Sequence, residues 1–252
     1  MGVNRAYDRE RVTVHTMNSI HRTRPVFYAS LPSGPRDTEN PRRQEAHGEE
    51  VKHRLVSILW NHFVALERSL WNRSQSSNLS DFPIQVVSGL LGRPHLMVGE
   101  CRGPAISFSE GGGKVWAALS GDDTDIGIDA AGADEFPGDY PVHRVFHPEE
   151  LDHASKLAGG DQEEASALLW SAKEAVVKAL GCAFHLVDPR HVNVYPAMER
   201  RGGGYTFPVG LSGKALARFP LAAARSLWVR SLPQGKLWLS IALVNRRQAV
   251  HE

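Results

Sequence analysis

The 252-residue sequence predicts an α+β fold of two similar lobes, each a long helix packed on a small antiparallel sheet. Two observations carry this expectation. Two long helical periodicities, Glu49 to Arg73 and Asp161 to Leu180, are each followed by runs of short strand pattern. Helices and strands also do not alternate strictly, as a doubly wound sheet would require. The repetition of one helix with a few strands suggests halves related by a pseudo-twofold. On this reading residues 1–45 are an N-terminal arm or irregular start of the first lobe, and 46–120 complete that lobe. Residues 121–246 form the second lobe and 247–252 a polar tail.

Within the arm, short strands are expected at Val12 to Met17 and Pro25 to Ser30. Leu31 to Pro41 reads as a loop because of Pro32, Gly34, Pro35 and Pro41. In the first helix, Val51, Leu55, Ile58, Leu59, His62, Phe63, Leu66 and Leu70 trace one face, leaving Arg54, Glu67 and Arg68 to solvent. Ser74 to Pro83 is a polar connection, and Leu90 to Leu96 a turn-rich passage carrying Arg93. Ala105 to Glu110 and Lys114 to Ser120 form a hairpin around Gly111-Gly-Gly113. Gly121 to Thr124 turns into a strand, Asp125-Ile-Gly-Ile-Asp129. By period two, Ile126 and Ile128 share one face and Gly127 and Asp129 the other, with Gly127 leaving room beside Asp129 for something to approach.

Pro148 fits the first turn of a short helix. Gly159-Gly-Asp161 with Glu164 then starts the second long helix. Its apolar face is Leu168, Leu169, Ala172, Ala175, Val176, Ala179 and Leu180, and Gly181 supplies a left-handed cap. Further strands are expected at His191 to Tyr195, Gly204 to Pro208, Ser226 to Leu232 and Lys236 to Leu243, the last two joined by Pro233-Gln-Gly235.

Composition narrows the classes. A net charge of +1 gives no global reason for nucleic-acid binding or attachment to a membrane surface. No apolar run approaches the ~20 residues of a span. The N-terminus lacks the apolar core of a signal peptide, and Cys101 and Cys182 fit reduced thiols, so a cytoplasmic location is expected. The histidines form no metal-ligand pattern and none is assigned to zinc.

Two carboxylates on different elements remain: Asp129 on its strand and Glu174 on the long helix. Converging, they would suit a hard cation such as Mg²⁺, which keeps waters and takes phosphate oxygens. Lys178, one turn beyond Glu174, would reach a phosphate or tune the glutamate. Spacing alone is equally compatible with an aspartate capping a turn and a solvated Glu174–Lys178 pair.

Ile126-Gly-Ile-Asp129 and Trp170-Ser-Ala-Lys-Glu-Ala-Val-Val-Lys178 resemble the two signatures of the 4′-phosphopantetheinyl transferase superfamily. Leu91-Gly-Arg-Pro-His-Leu96 is similar to its Gly-Lys-Pro segment. Ile106-Ser-Phe-Ser109 with Trp116-Ala-Ala-Leu119 resembles its Ser-His-Ser hairpin. His53-Arg54-Leu55 resembles a coenzyme A-binding position. The length suits the two-lobed, monomeric branch. The resemblance implies an enzyme of the holo-carrier-protein synthase type. Coenzyme A would lie between the lobes as co-substrate, and phosphopantetheine would pass to a serine of an apo acyl or peptidyl carrier protein. Mg²⁺ would be held by Asp129 and Glu174, with Glu174 doubling as base. Lys178 would contact phosphate, Arg54 and Arg93 would hold coenzyme A phosphates, and Ser107 would lie beside them. Lys173 completes the helix signature.

Two positions depart from the family pattern. Ala131 stands where a second acidic residue is usual, and Phe108 where the hairpin histidine is usual; Glu110, Asp134 and Glu135 are the nearby acids. The departures leave open a second reading, a relative with impaired catalysis that binds coenzyme A or a carrier protein.

Overall fold

The computed structural model describes residues 12–17, 25–34, 41–70, 82–120, 124–201, 203–223 and 227–245. Expectations for the remaining segments, including the start of the arm, most of Ser74 to Pro83 and the polar tail, lie outside the described residues. The chain is α+β, with antiparallel sheets and few helices.

The first sheet is built from β1 (His15–Met17), β2 (Val26–Pro32), β6 (Ile106–Gly111) and β7 (Lys114–Ser120), in the order β1-β2-β7-β6. The loop expected from Leu31 is thus displaced, since Leu31 and Pro32 still pair with Val115 and Lys114. Proline is tolerated there because it closes the strand. α1 (Pro41–Leu70) begins a full two turns before the expected Glu49, with Pro41 in the first turn, where its missing N–H costs nothing. Its buried stripe is Val51, Leu55, Val56, Leu59, Trp60, Phe63 and Val64. That stripe is rotated from the expected one: Ile58 is only partly buried, and His62 is exposed with its ring edge-on to Phe27.

A small sheet that the sequence pattern does not reveal lies between these elements. It comprises β3 (Ile84–Ser88), β4 (Pro94–Val98) and β5 (Cys101–Arg102), in that order. The passage read as turn-rich therefore holds a turn and a strand, and the turn delivers Arg93 to the start of β4.

The second sheet is ordered β10-β11-β12-β13-β8, with β9 also pairing β11. Its strands are β8 (Thr124–Gly132), β9 (Val192–Val194), β10 (Glu199–Arg201), β11 (Gly204–Leu211), β12 (Leu227–Gln234) and β13 (Leu237–Asn245). β8 runs three residues past Asp129, which therefore stands inside the strand and does not end it. Two helices precede β9: α2 (Pro148–Leu157) and α3 (Gln162–Ala179). The Asp161 carboxylate caps α3 by accepting from the Glu164 N–H. At the other end Gly181 has φ +75°. The Gly181 and Cys182 N–H groups bond back to the Lys178 and Val177 carbonyls, a Schellman cap.

α3 is not an amphipathic surface helix. Ala165, Ala167, Lys173 and Val177 are buried as well as most of the expected apolar face, because α3 packs against both the second sheet, β9 included, and α2. Gly127 explains how close helix and sheet come. A Cβ there would lie 1.9 Å from the Ala175 carbonyl oxygen and 2.6 Å from the Ala179 nitrogen. The space at Gly127 is taken by α3 itself and is not kept for a ligand. Gly127→Ala is therefore expected to cost about 1–3 kcal/mol, as overpacking does. The check is a lower urea midpoint at unchanged denaturant slope.

The two sheets meet where an edge strand of each, β6 and β8, run side by side. A shared core joins Val26, Tyr28, Trp116 and Ala118 to Ile126, Ile128, Leu239 and Ile241. The β8 N–H groups that would otherwise lack partners are taken up by side chains: Ile128 donates to Ser107 Oγ and Ala130 to Ser109 Oγ, both at 3.2 Å. The hairpin serines thus fix the first sheet to the strand that bears Asp129.

Candidate active site

β8 directs Gly127, Asp129 and Ala131 to one face, toward α3. Asp129 is buried. It accepts from Ser109 Oγ at 2.9 Å and from Lys178 Nζ at 2.6 Å, both on Oδ1. Among the described residues no side chain bonds its Oδ2. Its cross-strand neighbour Ser240 belongs to a buried chain of hydroxyls, 2.6 Å from Ser231 Oγ and 2.7 Å from Ser171 Oγ. Ser171, the second residue of the helix signature, thereby helps seat α3 on the sheet.

Glu174 is partly buried, and among the described residues its carboxylate makes no hydrogen bond or ion pair. Burial pushes its carboxyl above the ordinary range, and the negative charge of Asp129 pushes it further, against the pull of Lys178. The expected Glu174–Lys178 surface pair is not formed. Lys178 turns instead to Asp129 and to the Ile128 carbonyl at 3.3 Å. The stronger partner is the more buried carboxylate, where the same ion pair is less screened.

Arg93 reaches the C-terminal end of α3, next to Lys178. Its guanidinium pairs with Asp125 and donates to the Ala179 carbonyl at 3.3 Å, lying against Gly181. A cation at a helix C-terminus is favoured by the helix dipole. Arg93, Ser107, Phe108 and Lys178 line one cleft of about 330 Å³, and Lys52 of α1 completes it. Arg54 does not line it. At about 100° per residue, Arg54 and Lys52 point to different sides of α1, and Arg54 is exposed. Cys182 also lines the cleft, with its thiol pushed up to about 11, mainly by burial, so it offers no thiolate at neutral pH. Both cysteines are free.

A larger cleft of about 750 Å³ adjoins this one and shares Glu49 and Lys52. Its walls include the Gly111–Gly113 turn, Glu110, Lys114, Asp134 and Glu135. Glu135 accepts from the Gly132 N–H at 2.9 Å. Burial raises its carboxyl, and the charges of Asp129 and Asp134 add to the rise against the pull of that bond. Among the described residues, no three His, Cys, Asp or Glu side chains are grouped so as to hold a metal ion. Ala131 shares the face of Asp129 but is enclosed in the core beneath α3. A glutamate at 131 would have to be buried, so the position offers no exposed ligand site in this chain.

Lys173 departs most from the sequence reading. Beside Glu174 in the signature, it points away from Asp129 into the core between α2 and α3. It is 0% exposed and 2.8 Å from Glu150 Oε2. It belongs to the scaffold. Sequence reasoning does not reach Lys52, Asp125 or Ser109 as contributors. Only Ser109 left a trace, as the second serine of the hairpin motif.

Residues 125–211 match the family model of the 4′-phosphopantetheinyl transferase superfamily. The matched stretch contains Asp129, Glu174 and Lys178 and bears out the resemblance there; Arg54, Arg93 and Ser107 lie before it. Two solved structures are similar. One is an apo-ACPS from Chronobacterium ammoniagenes, 22% identical, with TM-score 0.39, over 48% of this chain and 95% of that one. The other is an ACPS–CoA complex from the same organism, 20% identical, with TM-score 0.41, over 50% of this chain and 100% of that one. Curated protein sequences give no match. No helix among the described residues is long and apolar enough to cross a membrane.

Proposed function

We propose that this protein transfers 4′-phosphopantetheine from coenzyme A to a serine of an apo acyl or peptidyl carrier protein, acting as a cytoplasmic, monomeric holo-carrier-protein synthase. The observation that carries the reading is the Glu174 carboxylate. It has no partner among the described residues, is raised in basicity, and stands near Asp129 and Lys178 inside the stretch that matches the family model. A partly buried acid without a partner costs stability, and groups perturbed in this way cluster at functional sites.

The carrier serine Oγ attacks the β-phosphorus of coenzyme A and its proton passes to Glu174. The bond from that phosphorus to the bridging oxygen breaks, and adenosine 3′,5′-bisphosphate leaves. Lys178 and Arg93 hold the phosphates, with Ser107, whose oxygen already accepts from Ile128, donating its own hydrogen outward. Arg54, exposed and outside both clefts, is assigned a coenzyme A phosphate by the family resemblance alone. Among the described residues Asp129 Oδ2 and the Glu174 carboxylate have no hydrogen-bond partner, and these hard oxygens fit Mg²⁺ because this ion completes its shell with waters. Bound there, Mg²⁺ would neutralise the charge of the pyrophosphate. Residues 46–120 and 121–246 are taken as lobes related by a pseudo-twofold, with coenzyme A between them.

The test incubates the protein with Mg²⁺, coenzyme A and a panel of apo carrier proteins and follows their masses. Addition of the phosphopantetheine arm, lost on chelation, is the expected result. No addition across the panel with coenzyme A still bound would leave a binding module.

A further inference from the structure

The Lys178 ammonium stands between two sites and cannot serve both at once. It lies 2.6 Å from Asp129 Oδ1 and 3.3 Å from the Ile128 carbonyl, yet its side chain also lines the cleft shared with Arg93, Ser107 and Lys52. Arg93 pairs with Asp125 and Lys52 with Glu49, so the link from that cleft to Asp129 runs through Lys178. The two members of the pair differ in freedom. The Lys178 side chain is 29% exposed on a flexible stem, and that of Asp129 only 10%. Ser109 Oγ also holds Asp129, at 2.9 Å on the same oxygen. Asp129 therefore stays in place, and Lys178 is the member that can turn to the cleft.

While the pair is closed, the ammonium neutralises the carboxylate that a divalent cation needs. A cation arriving at Oδ2 meets a positive charge already on Oδ1, and a partly buried setting makes that repulsion stronger than in bulk water. An anion in the cleft draws Lys178 toward itself and leaves Asp129 uncompensated, with the negative charge of Glu174 close enough to act on it. We infer that Lys178 is a latch between the two ligands of the site: a diphosphate in the cleft releases Asp129 to a divalent cation, and the cation tightens the hold on the diphosphate. The site then takes up the metal–diphosphate pair and binds free Mg²⁺ poorly. The effect is mutual, because the factor by which one ligand changes the affinity of the other acts equally in reverse. The identity of both ligands rests on the transferase reading above.

Calorimetry measures Kd for Mg²⁺ in the wild type alone, with inorganic pyrophosphate and with coenzyme A, each corrected by a protein-free titration of metal into the anion. Each anion should tighten Mg²⁺ binding by about 5- to 150-fold, the usual range of coupling between sites. Lys178→Gln keeps a donor for Asp129 and removes the charge. It should bind Mg²⁺ without anion about five- to tenfold more tightly than the wild type, and with anion more weakly, as the coupling is lost. Lys178→Arg keeps the charge and should keep the coupling. A merely structural role would weaken Mg²⁺ binding by Lys178→Gln under both conditions, so the opposite signs identify the latch. Anions that leave wild-type Mg²⁺ binding unchanged overturn the inference even where the variant does not fold. A Lys178→Gln variant that binds free Mg²⁺ no more tightly also overturns it, and coenzyme A binding with transfer then leaves the transferase reading standing. Coupling by pyrophosphate without coenzyme A binding upholds the latch and removes the transferase reading. Binding of neither Mg²⁺ nor coenzyme A overturns both.

Discussion

Glu174→Gln is expected to abolish phosphopantetheine transfer and, without added metal at neutral pH, to raise the melting temperature. On the transferase reading proposed above, the loss of activity follows from removing the group that would take the serine proton, a contribution of typically 10²–10⁴-fold, together with a carboxylate that would hold Mg²⁺. The gain in stability follows from the same carboxylate. Glu174 is partly buried, bonds nothing among the described residues, and is pushed above its ordinary value of 4.5 by burial and by Asp129. Because its folded-state value is raised, the native state binds this proton more tightly than the unfolded chain does. The stability it contributes is complete below the unfolded value and is lost as pH rises through the folded value. At neutral pH the ionised group therefore weakens the fold, by on the order of 1 kcal/mol for each unit of rise. Glutamine removes the charge at nearly the same shape, so a gain of about 2–4 °C is expected, shrinking to nothing as pH falls toward 4. Thermal melts of both proteins from pH 4 to 8, with and without Mg²⁺, provide the check. An active glutamine variant would take Glu174 out of the chemistry, and a lower melting temperature would show that its carboxylate is engaged.

How much of this could be read from the sequence depended on the range of each signal. The long helices, the Gly111–Gly113 hairpin and the strand bearing Asp129 were legible because period and turn chemistry are local. The cap at Asp161 and the left-handed residue at Gly181 were legible for the same reason. Partner choice was not. Lys178 sits four residues from Glu174, yet its ammonium goes to Asp129, 49 residues earlier, a selection made by burial and not by spacing. Gly127 was correctly placed beside Asp129, but what fills the space depends on the docking of α3. The small sheet β3-β4-β5 went unread because strands of five residues and fewer, broken by a left-handed Leu91 and Gly92, leave too short a pattern. Lys173 was the hardest case. A lysine inside a charged signature reads as part of the site, and only the placement of α2 reveals the carboxylate that buries it.

That carboxylate leads to the second large effect: Glu150→Ala is expected to lower stability by about 3–5 kcal/mol, the usual cost of removing one member of a buried pair. Glu150 joins three elements. It accepts from the His147 N–H at 2.8 Å at the start of α2, from Lys173 Nζ at 2.8 Å on α3, and from the Val194 N–H at 2.7 Å on β9. The Lys173 ammonium donates further to the Pro189 carbonyl at 3.0 Å and the Val145 carbonyl at 3.3 Å. Alanine at 150 orphans the buried Val194 N–H and the partly buried His147 N–H and leaves the ammonium with carbonyls alone. A fall of roughly 6–20 °C in melting temperature follows at this chain length. The pH dependence has a definite sign. Burial holds Lys173 below its ordinary 10.5, and Glu150 is the main influence opposing that shift. Without Glu150 the folded-state value drops further, so the unfolded chain binds the extra proton across the window between that value and 10.5. Stability of the variant should therefore rise with pH from 7 to 9.5, more steeply than that of the wild type. Lys173→Met added to Glu150→Ala should recover part of the loss, because no buried charge then remains unpaired. Urea titrations at both pH values test this, and a single-variant cost below about 1 kcal/mol would show that the pair carries little. Function should feel the same change. Lys173 precedes Glu174 by one residue, so the clamp fixes the rotation of α3 that turns Glu174 toward Asp129. On the transferase reading proposed above, transfer by Glu150→Ala should therefore fall even at temperatures where the variant is fully folded, and Glu150→Gln, whose single carbonyl oxygen can accept from only one of the two N–H groups, should restore little of it.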